Sequence, residues 1–333
     1  MVIIGAGPAG LFAVFELGML KLSCHVIDAL PEVGGQCTAL YPEKPIYDIP
    51  GFPRIDAGQL VEALEAQARP FQPTYHLAET VAALDDHRDG DGRLTVTTDR
   101  GTRITARAVV IAAGGGAFGP NRPPLPGIQD YEKTSVFYAI RRREDFRGKR
   151  VVIAGGGDSA VDWALALADV AAHVMVVHRR PRFRAAPESA AQLQALAETG
   201  RIELVIPYQL AGLTGAGGRL RGVSVRTLEG HERLLEADVL LPFFGLSSDL
   251  GAIAGWGLAT ERNLIRTDPA SGATSRAGVY AIGDVAQYPG KLKLILCGFS
   301  EAAMTAHAIW SLIHPDQALH FEYSTTQGLP GGE

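Results

Sequence analysis

Gly5, Gly7 and Gly10 stand in the run Gly5-Ala6-Gly7-Pro8-Ala9-Gly10, directly after the apolar stretch Val2-Ile3-Ile4. A second run, Gly155-Gly156-Gly157-Asp158-Ser159-Ala160, follows Val151-Val152-Ile153 in the same way. In each, a strand feeds a tight turn and then a helix. Glycines let the backbone turn and come close to a pyrophosphate, whose charge is favoured by the free N–H groups at a helix N-terminus. Asp28 lies 18 residues beyond Gly10, ending the run His25-Val26-Ile27; His178 lies 18 residues beyond Ala160, ending Val174-Met175-Val176-Val177. The matched positions carry opposite chemistry. A carboxylate at the first accepts hydrogen bonds from an adenosine ribose. At the second, His178, Arg179 and Arg180, with Arg184 close behind, suit a ribose 2′-phosphate, because guanidinium groups bind phosphate through forked, charge-assisted bonds. The expectation is two dinucleotides on one chain, FAD at the first turn and NADPH at the second. Asp158 and Ser159 open the second helix, where Ser159 is placed to cap it or to bind pyrophosphate. A single turn of this kind also suits plain packing of a helix on a strand; two copies on one spacing select the dinucleotide reading.

The elements that must position these residues repeat as well. After Asp28 come a long loop, a helical stretch at residues 58–68, a β-meander at residues 94–98 and 102–106, and a buried strand at residues 109–113 ending in Gly114-Gly115-Gly116. After His178 come a helical stretch at residues 188–198, strands at 222–227 and 231–235, and a buried strand at 239–244. Alternating strands and helices imply parallel sheets, and the hairpins a small antiparallel layer on each. The expected fold class is α/β, with two Rossmann-like dinucleotide-binding domains. Pro120, Pro123, Pro124, Pro126 and Gly127 mark the crossing between domains, and residues 245–251 the return. The strand ending Tyr280-Ala281-Ile282-Gly283-Asp284 belongs with the first sheet. The predicted division is residues 1–117 and 248–333 for a discontinuous FAD domain, with residues 118–247 as an inserted NADPH domain. A final helix is expected over about residues 298–313, beside the FAD.

Size and composition agree with this plan. The chain has 333 residues, enough for two domains. A net charge of −5 argues against a nucleic-acid protein. The three cysteines, Cys24, Cys37 and Cys297, form no CxxC and no metal-ligand spacing, and their odd number argues against a disulphide framework. The apolar N-terminus lacks a basic segment and is interrupted by Gly5, Gly7, Pro8, Gly10 and Glu16, unlike a signal peptide. No uninterrupted apolar stretch reaches the length of a membrane span. A soluble, cytoplasmic protein is expected. The four residues before Gly5 leave open whether native residues precede Met1.

These motifs resemble those of ferredoxin–NADP⁺ reductases of the thioredoxin-reductase-like type, across essentially the whole chain. The carrying stretches are Gly5 to Phe12, Gly34-Gly35-Gln36, Ala39 to Lys44, Tyr47-Asp48 with Gly51-Phe52-Pro53, Gly155 to Trp163, His178 to Pro181 with Phe183-Arg184-Ala185, and Gly283-Asp284 with Tyr288-Pro289-Gly290-Lys291. The resemblance implies a homodimer and hydride transfer from NADPH to flavin N5, followed by two one-electron transfers to ferredoxin or flavodoxin. Thioredoxin reductases carry a CxxC just ahead of the second glycine turn; residues 135–143 here contain no cysteine. The CxxxxC of the glutathione-reductase type is also missing, since Cys37 stands alone. Without a dithiol, electrons must leave the flavin directly.

The resemblance assigns further residues to the flavin. Gln36 and Tyr41 match its contacts, Tyr41 stacking on one isoalloxazine face; read without the resemblance, Tyr41 is ordinary core. Val81 and Phe118 match positions lining adenine and flavin, and equally suit simple packing. Asp284 matches a ribityl contact. Tyr323 takes the place of a histidine stacked on the opposite face, and Thr325 that of a hydroxyl near N5. No side chain is assigned as a catalytic acid or base, because the cofactors carry the chemistry. Two basic clusters suit an acidic protein acceptor: Arg141, Arg142, Arg143, Arg147, Lys149 and Arg150, or Lys44 with Lys291 and Lys293. Either equally suits a solvated surface. Two other functions compete: an NADPH oxidase or diaphorase reducing a small molecule, and a non-catalytic flavoprotein that senses NADPH.

Overall fold

The computed structural model describes residues 1–87 and 92–319. The chain divides into two compact units. The first comprises Met1–Ala39, Pro45–Phe118 and Ser248–Glu333; the second comprises Leu40–Lys44 and Gly119–Ser247.

The first unit is built on a five-stranded parallel sheet in the order Val279–Ala281, Val109–Ile111, Val2–Ile4, His25–Asp28, Thr74–Leu77. The strand from the tail therefore does join the first sheet, Tyr280 opposite Val110. Every residue of the strands Val279–Ala281, Val109–Ile111 and Val2–Ile4 is apolar and buried because both faces are covered. Val2, Ile4, Ile27, Val109, Ile111, Val279 and Ala281 face a core shared with an antiparallel meander, Val81–Asp86, Leu94–Thr98 and Arg103–Ala106. Ile3, Val26, Val110 and Tyr280 face a core shared with the helices Pro8–Met19 and Ile295–Ile313. That last helix buries Gly298, Ala302, Thr305, Ala306 and Ile309, a helical stripe of mostly small residues. It begins at Ile295, a turn earlier than expected.

The second unit repeats the scheme. Its parallel sheet has four strands, in the order Ile202–Val205, His173–Val177, Arg150–Ala154, Val239–Pro242. Val151, Ile153, Val174, Val176, Val239 and Leu241 face the helices Asp158–Leu167 and Pro187–Glu198. Val152, Ala154, Met175, Val177 and Leu240 face a three-stranded antiparallel layer, Gln209–Ala216, Arg219–Arg226 and Glu232–Glu236. The first of these three strands is absent from the sequence reading.

The short segment Leu40–Lys44 departs from the expected division. It groups with the second unit, where the Ile140 N–H donates to the Leu40 carbonyl at 3.1 Å. Lys44 pairs with Asp162 at 2.9 Å, and the Arg143 N–H donates to the Glu43 carboxylate at 2.7 Å.

Candidate functional site

At the first turn, the Gly5 N–H donates to the Ile27 carbonyl at 2.8 Å and the Ala112 N–H to the Ile4 carbonyl at 2.7 Å. A Cβ on Gly5 would stand 2.4 Å from the Ala112 oxygen, and one on Gly10 would stand 2.0 Å from the Gly5 oxygen. Both positions are closed to any side chain. Gly7 is different: a Cβ there would meet nothing within 4 Å. Gly7 is the N-cap of the helix Pro8–Met19, which has no side-chain cap, so its first N–H groups are left for a ligand or water. Pro8 in the first turn lacks an N–H that would otherwise go unpaired. The Gly34-Gly35 loop lies on the same turn. The Gly34 N–H donates to the Ala6 carbonyl at 2.8 Å, and a Cβ on Gly35 would be 3.2 Å from the Gly7 Cα. Gln36 opens the short helix Gln36–Ala39, its amide nitrogen 3.9 Å from where a Gly114 Cβ would lie.

Asp28 ends its strand beside this turn. One carboxylate oxygen accepts the Ala6 N–H at 2.6 Å and the other the Leu30 N–H at 2.8 Å. Burial pushes its pKa above the usual value, and these two hydrogen bonds oppose that shift. Asp284 sits in the 3-10 turn Gly283–Val285 directly after the tail strand. Gly283 and Gly298 both lie against Ala9 in the first turn of the helix Pro8–Met19; added Cβ atoms would be 3.3 and 3.1 Å from the Ala9 Cβ. Asp284, the first glycine turn and the last helix therefore converge. Val81 is buried in the core of the antiparallel layer. Phe118 lies in the strand Ala117–Pro120. Tyr41 is packed on the core of the second unit with Lys44 over its ring, and not in the first unit where the flavin reading had it. Tyr323 and Thr325 lie outside the described residues.

The second turn keeps the same backbone scheme. The Gly155 N–H donates to the Val177 carbonyl at 3.1 Å, and the Phe243 N–H to the Ala154 carbonyl at 2.8 Å. Gly157 is the N-cap of the helix Asp158–Leu167, and a Cβ there would meet nothing within 4 Å. Ser159 is not the cap: it is exposed within the first turn, and the helix has no side-chain cap bond. Asp158 instead accepts the Ala186 N–H at 2.9 Å. His178 is buried, stacked on Phe183 with centroids 5.2 Å apart, and its imidazole fills the space a Gly156 Cβ would need. Burial holds its pKa below the usual value. It braces the turn, while Arg179, Arg180 and Arg184 are exposed. The Arg184 N–H donates to the Gly156 carbonyl at 2.6 Å, which pins the arginine loop to the glycine turn.

The proposed docking clusters look different in three dimensions. Arg142, Arg143, Arg147 and Arg150 pair with Asp145, Glu43, Glu144 and Asp238 respectively, so most of that basic run is neutralised. Lys44 pairs with Asp162, and Lys291 is buried against Glu301; Lys293 is exposed. The buried side chains of Glu301 and Lys291, with the half-buried Tyr288, escaped the sequence reading. The one signal was that Glu301 is the single acid in the helix Ile295–Ile313.

Two parallel sheets, each opening on a glycine turn with a bare helix N-cap, define a two-dinucleotide-binding α/β flavoprotein. The chain belongs to the pyridine nucleotide-disulphide oxidoreductase family, which it matches over residues 1–308. It is 65% identical over 331 residues to a ferredoxin–NADP reductase of Paramagnetospirillum magneticum, covering 99% of this chain and 98% of that one. It is 64% identical to a ferredoxin–NADP reductase of Granulibacter bethesdensis, covering 99% and 93%. Its fold resembles the crystal structure of Lactococcus lactis thioredoxin reductase, with a TM-score of 0.81 at 22% identity over 94% of this chain and 98% of that one. Among the described residues no helix is long and apolar enough to cross a membrane.

Proposed function

We propose that this chain is an FAD-dependent oxidoreductase that passes electrons from NADPH to ferredoxin without a redox-active disulphide. One observation carries the reading: two turns of the same backbone design meet a half-buried carboxylate at one ribose position and exposed arginines at the other. The name shared by the curated relatives supports ferredoxin as the acceptor.

The first unit is assigned to FAD. The bare N–H groups after Gly7 hold the pyrophosphate, and Gly5 and Gly10 keep that turn tight. Asp28 takes the adenosine ribose and Asp284 the ribityl chain. Gln36 borders the flavin and Val81 contributes an apolar wall; Phe118, Tyr41, Tyr323 and Thr325 are assigned to the flavin by the resemblance alone. The second unit is assigned to NADPH. The backbone N–H groups of Asp158 and Ser159, after Gly157, hold its pyrophosphate; Gly155 shapes the turn. Arg179, Arg180 and Arg184 take the 2′-phosphate on a loop that His178 supports. When bound, FAD supplies the exchange between two-electron hydride chemistry and the one-electron chemistry of an iron–sulphur acceptor. The chain's task is to hold and align the two ligands. Cys24, Cys37 and Cys297 form no disulphide, and burial pushes the Cys24 thiol up to about 11, far from the reactive thiolate a disulphide relay requires. Cysteines outside any disulphide also suit a cytoplasmic setting. A homodimer, and flavodoxin as a second acceptor, complete the proposal.

The test is NADPH oxidation by the purified protein with ferredoxin, with oxygen alone and with no acceptor. Ferredoxin-dependent turnover well above the oxygen rate is expected. An equal rate with oxygen alone would favour the oxidase reading, and no turnover under any condition a sensor.

A further inference from the structure

The helix Ile295–Ile313 buries its one acid. Glu301 and Lys291 have side chains only 4% and 2% exposed, and they form an ion pair. One Glu301 oxygen accepts the Gly283 N–H at 2.7 Å. The other accepts the Tyr288 hydroxyl at 2.6 Å and the Lys291 ammonium. The ammonium also stands 5.4 Å from the centroid of the Tyr288 ring. Burial and the Glu301 carboxylate push the Tyr288 phenol upward, so it stays a donor.

Stability alone does not account for this group. Burying two charges strips both of water, and a well-packed apolar pair often holds a fold as firmly. What the pair does hold is specific. Gly283 is the residue before Asp284, and Gly283 and Gly298 both pack on Ala9, in the first turn of the helix that starts after Gly7. Glu301 thus ties the tail turn, the Tyr288–Lys291 loop and the last helix to the edge of the first glycine turn.

We propose that the Lys291–Glu301 pair is a positioning element of the FAD site: Glu301 sets the Gly283–Asp284 turn through the Gly283 N–H, and Lys291 balances its charge. This rests on assigning the first unit to FAD. Removing one partner leaves the other buried and uncompensated, so the turn must rearrange. Removing both charges together restores neutrality, and a glutamine at 301 can still accept the Gly283 N–H.

The test measures FAD release from the holoprotein by flavin fluorescence, with binding of 2′,5′-ADP as the probe of the second unit. Lys291→Met and Glu301→Gln should each weaken FAD retention by roughly tenfold or more, as expected for breaking a buried pair. Affinity for 2′,5′-ADP should stay unchanged. The double variant Lys291→Met/Glu301→Gln should recover most of the loss. Single variants that hold FAD like the wild type would overturn the proposal, as would a double variant no better than the singles. Parallel loss of FAD and 2′,5′-ADP would also overturn it, by showing a general loss of structure. A wild-type protein that binds no FAD would instead overturn the assignment of the first unit.

Discussion

The two glycine turns share a hydrogen-bond plan and differ in what fills it. In both, the first glycine donates to the strand residue just before the ribose position, and the capping glycine, Gly7 or Gly157, opens on empty space. At the first turn Gly10 lies under the Gly5 carbonyl, where a Cβ would stand 2.0 Å away. At the second turn Ala160 already occupies the equivalent position, its Cβ 3.0 Å from where a Gly155 Cβ would lie. At the first turn the ribose-position side chain bonds to the turn's own backbone, Asp28 to the Ala6 N–H. At the second, His178 stacks beneath Gly156 and leaves recognition to the arginines that follow it. One backbone device therefore serves two ligands because pyrophosphate binding lies in shared main chain and ribose discrimination in a few side chains. A glycine pattern identifies the device; the residue at the next strand end identifies the cargo.

The largest effect should come from exchanging the two third positions. Gly10→Ala forces a methyl into the Gly5 carbonyl, and we expect loss of most bound FAD and a lower melting temperature. Ala160→Gly meets no such conflict and should cost only about 1 kcal/mol of helix preference. Flavin absorbance and thermal melting of the two variants check this; equal behaviour would break the contrast between the turns.

Next in size is nucleotide choice. Arg179→Ala with Arg180→Ala removes contacts worth about 1.5–3 kcal/mol each, so KM for NADPH should rise by roughly a hundredfold or more. KM for NADH, which lacks the 2′-phosphate, should barely move. Steady-state kinetics with both nucleotides decides, and equal increases would contradict the 2′-phosphate assignment.

A smaller effect concerns pH. His178 is held neutral by burial, its folded pKa below the ordinary 6.5. As pH falls through 6.5 the unfolded chain takes up a proton that the folded chain resists, so stability is full above that value and declines below it. Melting at pH 7.5 and pH 5.5 should show a steeper acid loss for the wild type than for His178→Phe, by ~2–4 °C. Parallel pH profiles would mean that His178 does not brace the turn as a neutral ring.

The legible part of this molecule was local. Strand, turn and helix N-terminus are adjacent in sequence, so Gly5 to Gly10 and Gly155 to Ala160 declare themselves, and period and turn residues placed two of the three strands in each antiparallel layer, leaving out Val81–Asp86 and Gln209–Ala216. What stayed hidden depends on contacts far apart in the chain. Leu40–Lys44 groups with the second unit through Glu43 and Arg143, 100 residues apart. The buried partner of Lys291 appears only once the last helix is folded, and His178 shows its bracing role only against Gly156. The strand Gln209–Ala216 contains Gly212 and Gly215, residues that weaken a strand pattern; yet a Cβ on Gly215 would fall 2.1 Å from the Arg219 oxygen, so the hairpin requires that glycine.

The smallest effect is an expected absence of one. Replacing Cys24, Cys37 and Cys297 by alanine should leave ferredoxin reduction by NADPH largely intact. Activity lost while flavin remains bound would reveal a thiol relay.

The central claim, that each turn serves one dinucleotide, is tested most directly by titrating the apoprotein with FAD and with 2′,5′-ADP. Gly7→Ala adds a methyl where the protein has nothing within 4 Å, so any loss reflects the ligand that would approach there. The account predicts that Gly7→Ala weakens FAD binding and leaves 2′,5′-ADP untouched, and that Arg179→Ala/Arg180→Ala does the reverse. Variants that lose both ligands together, or that exchange the two losses, would contradict it.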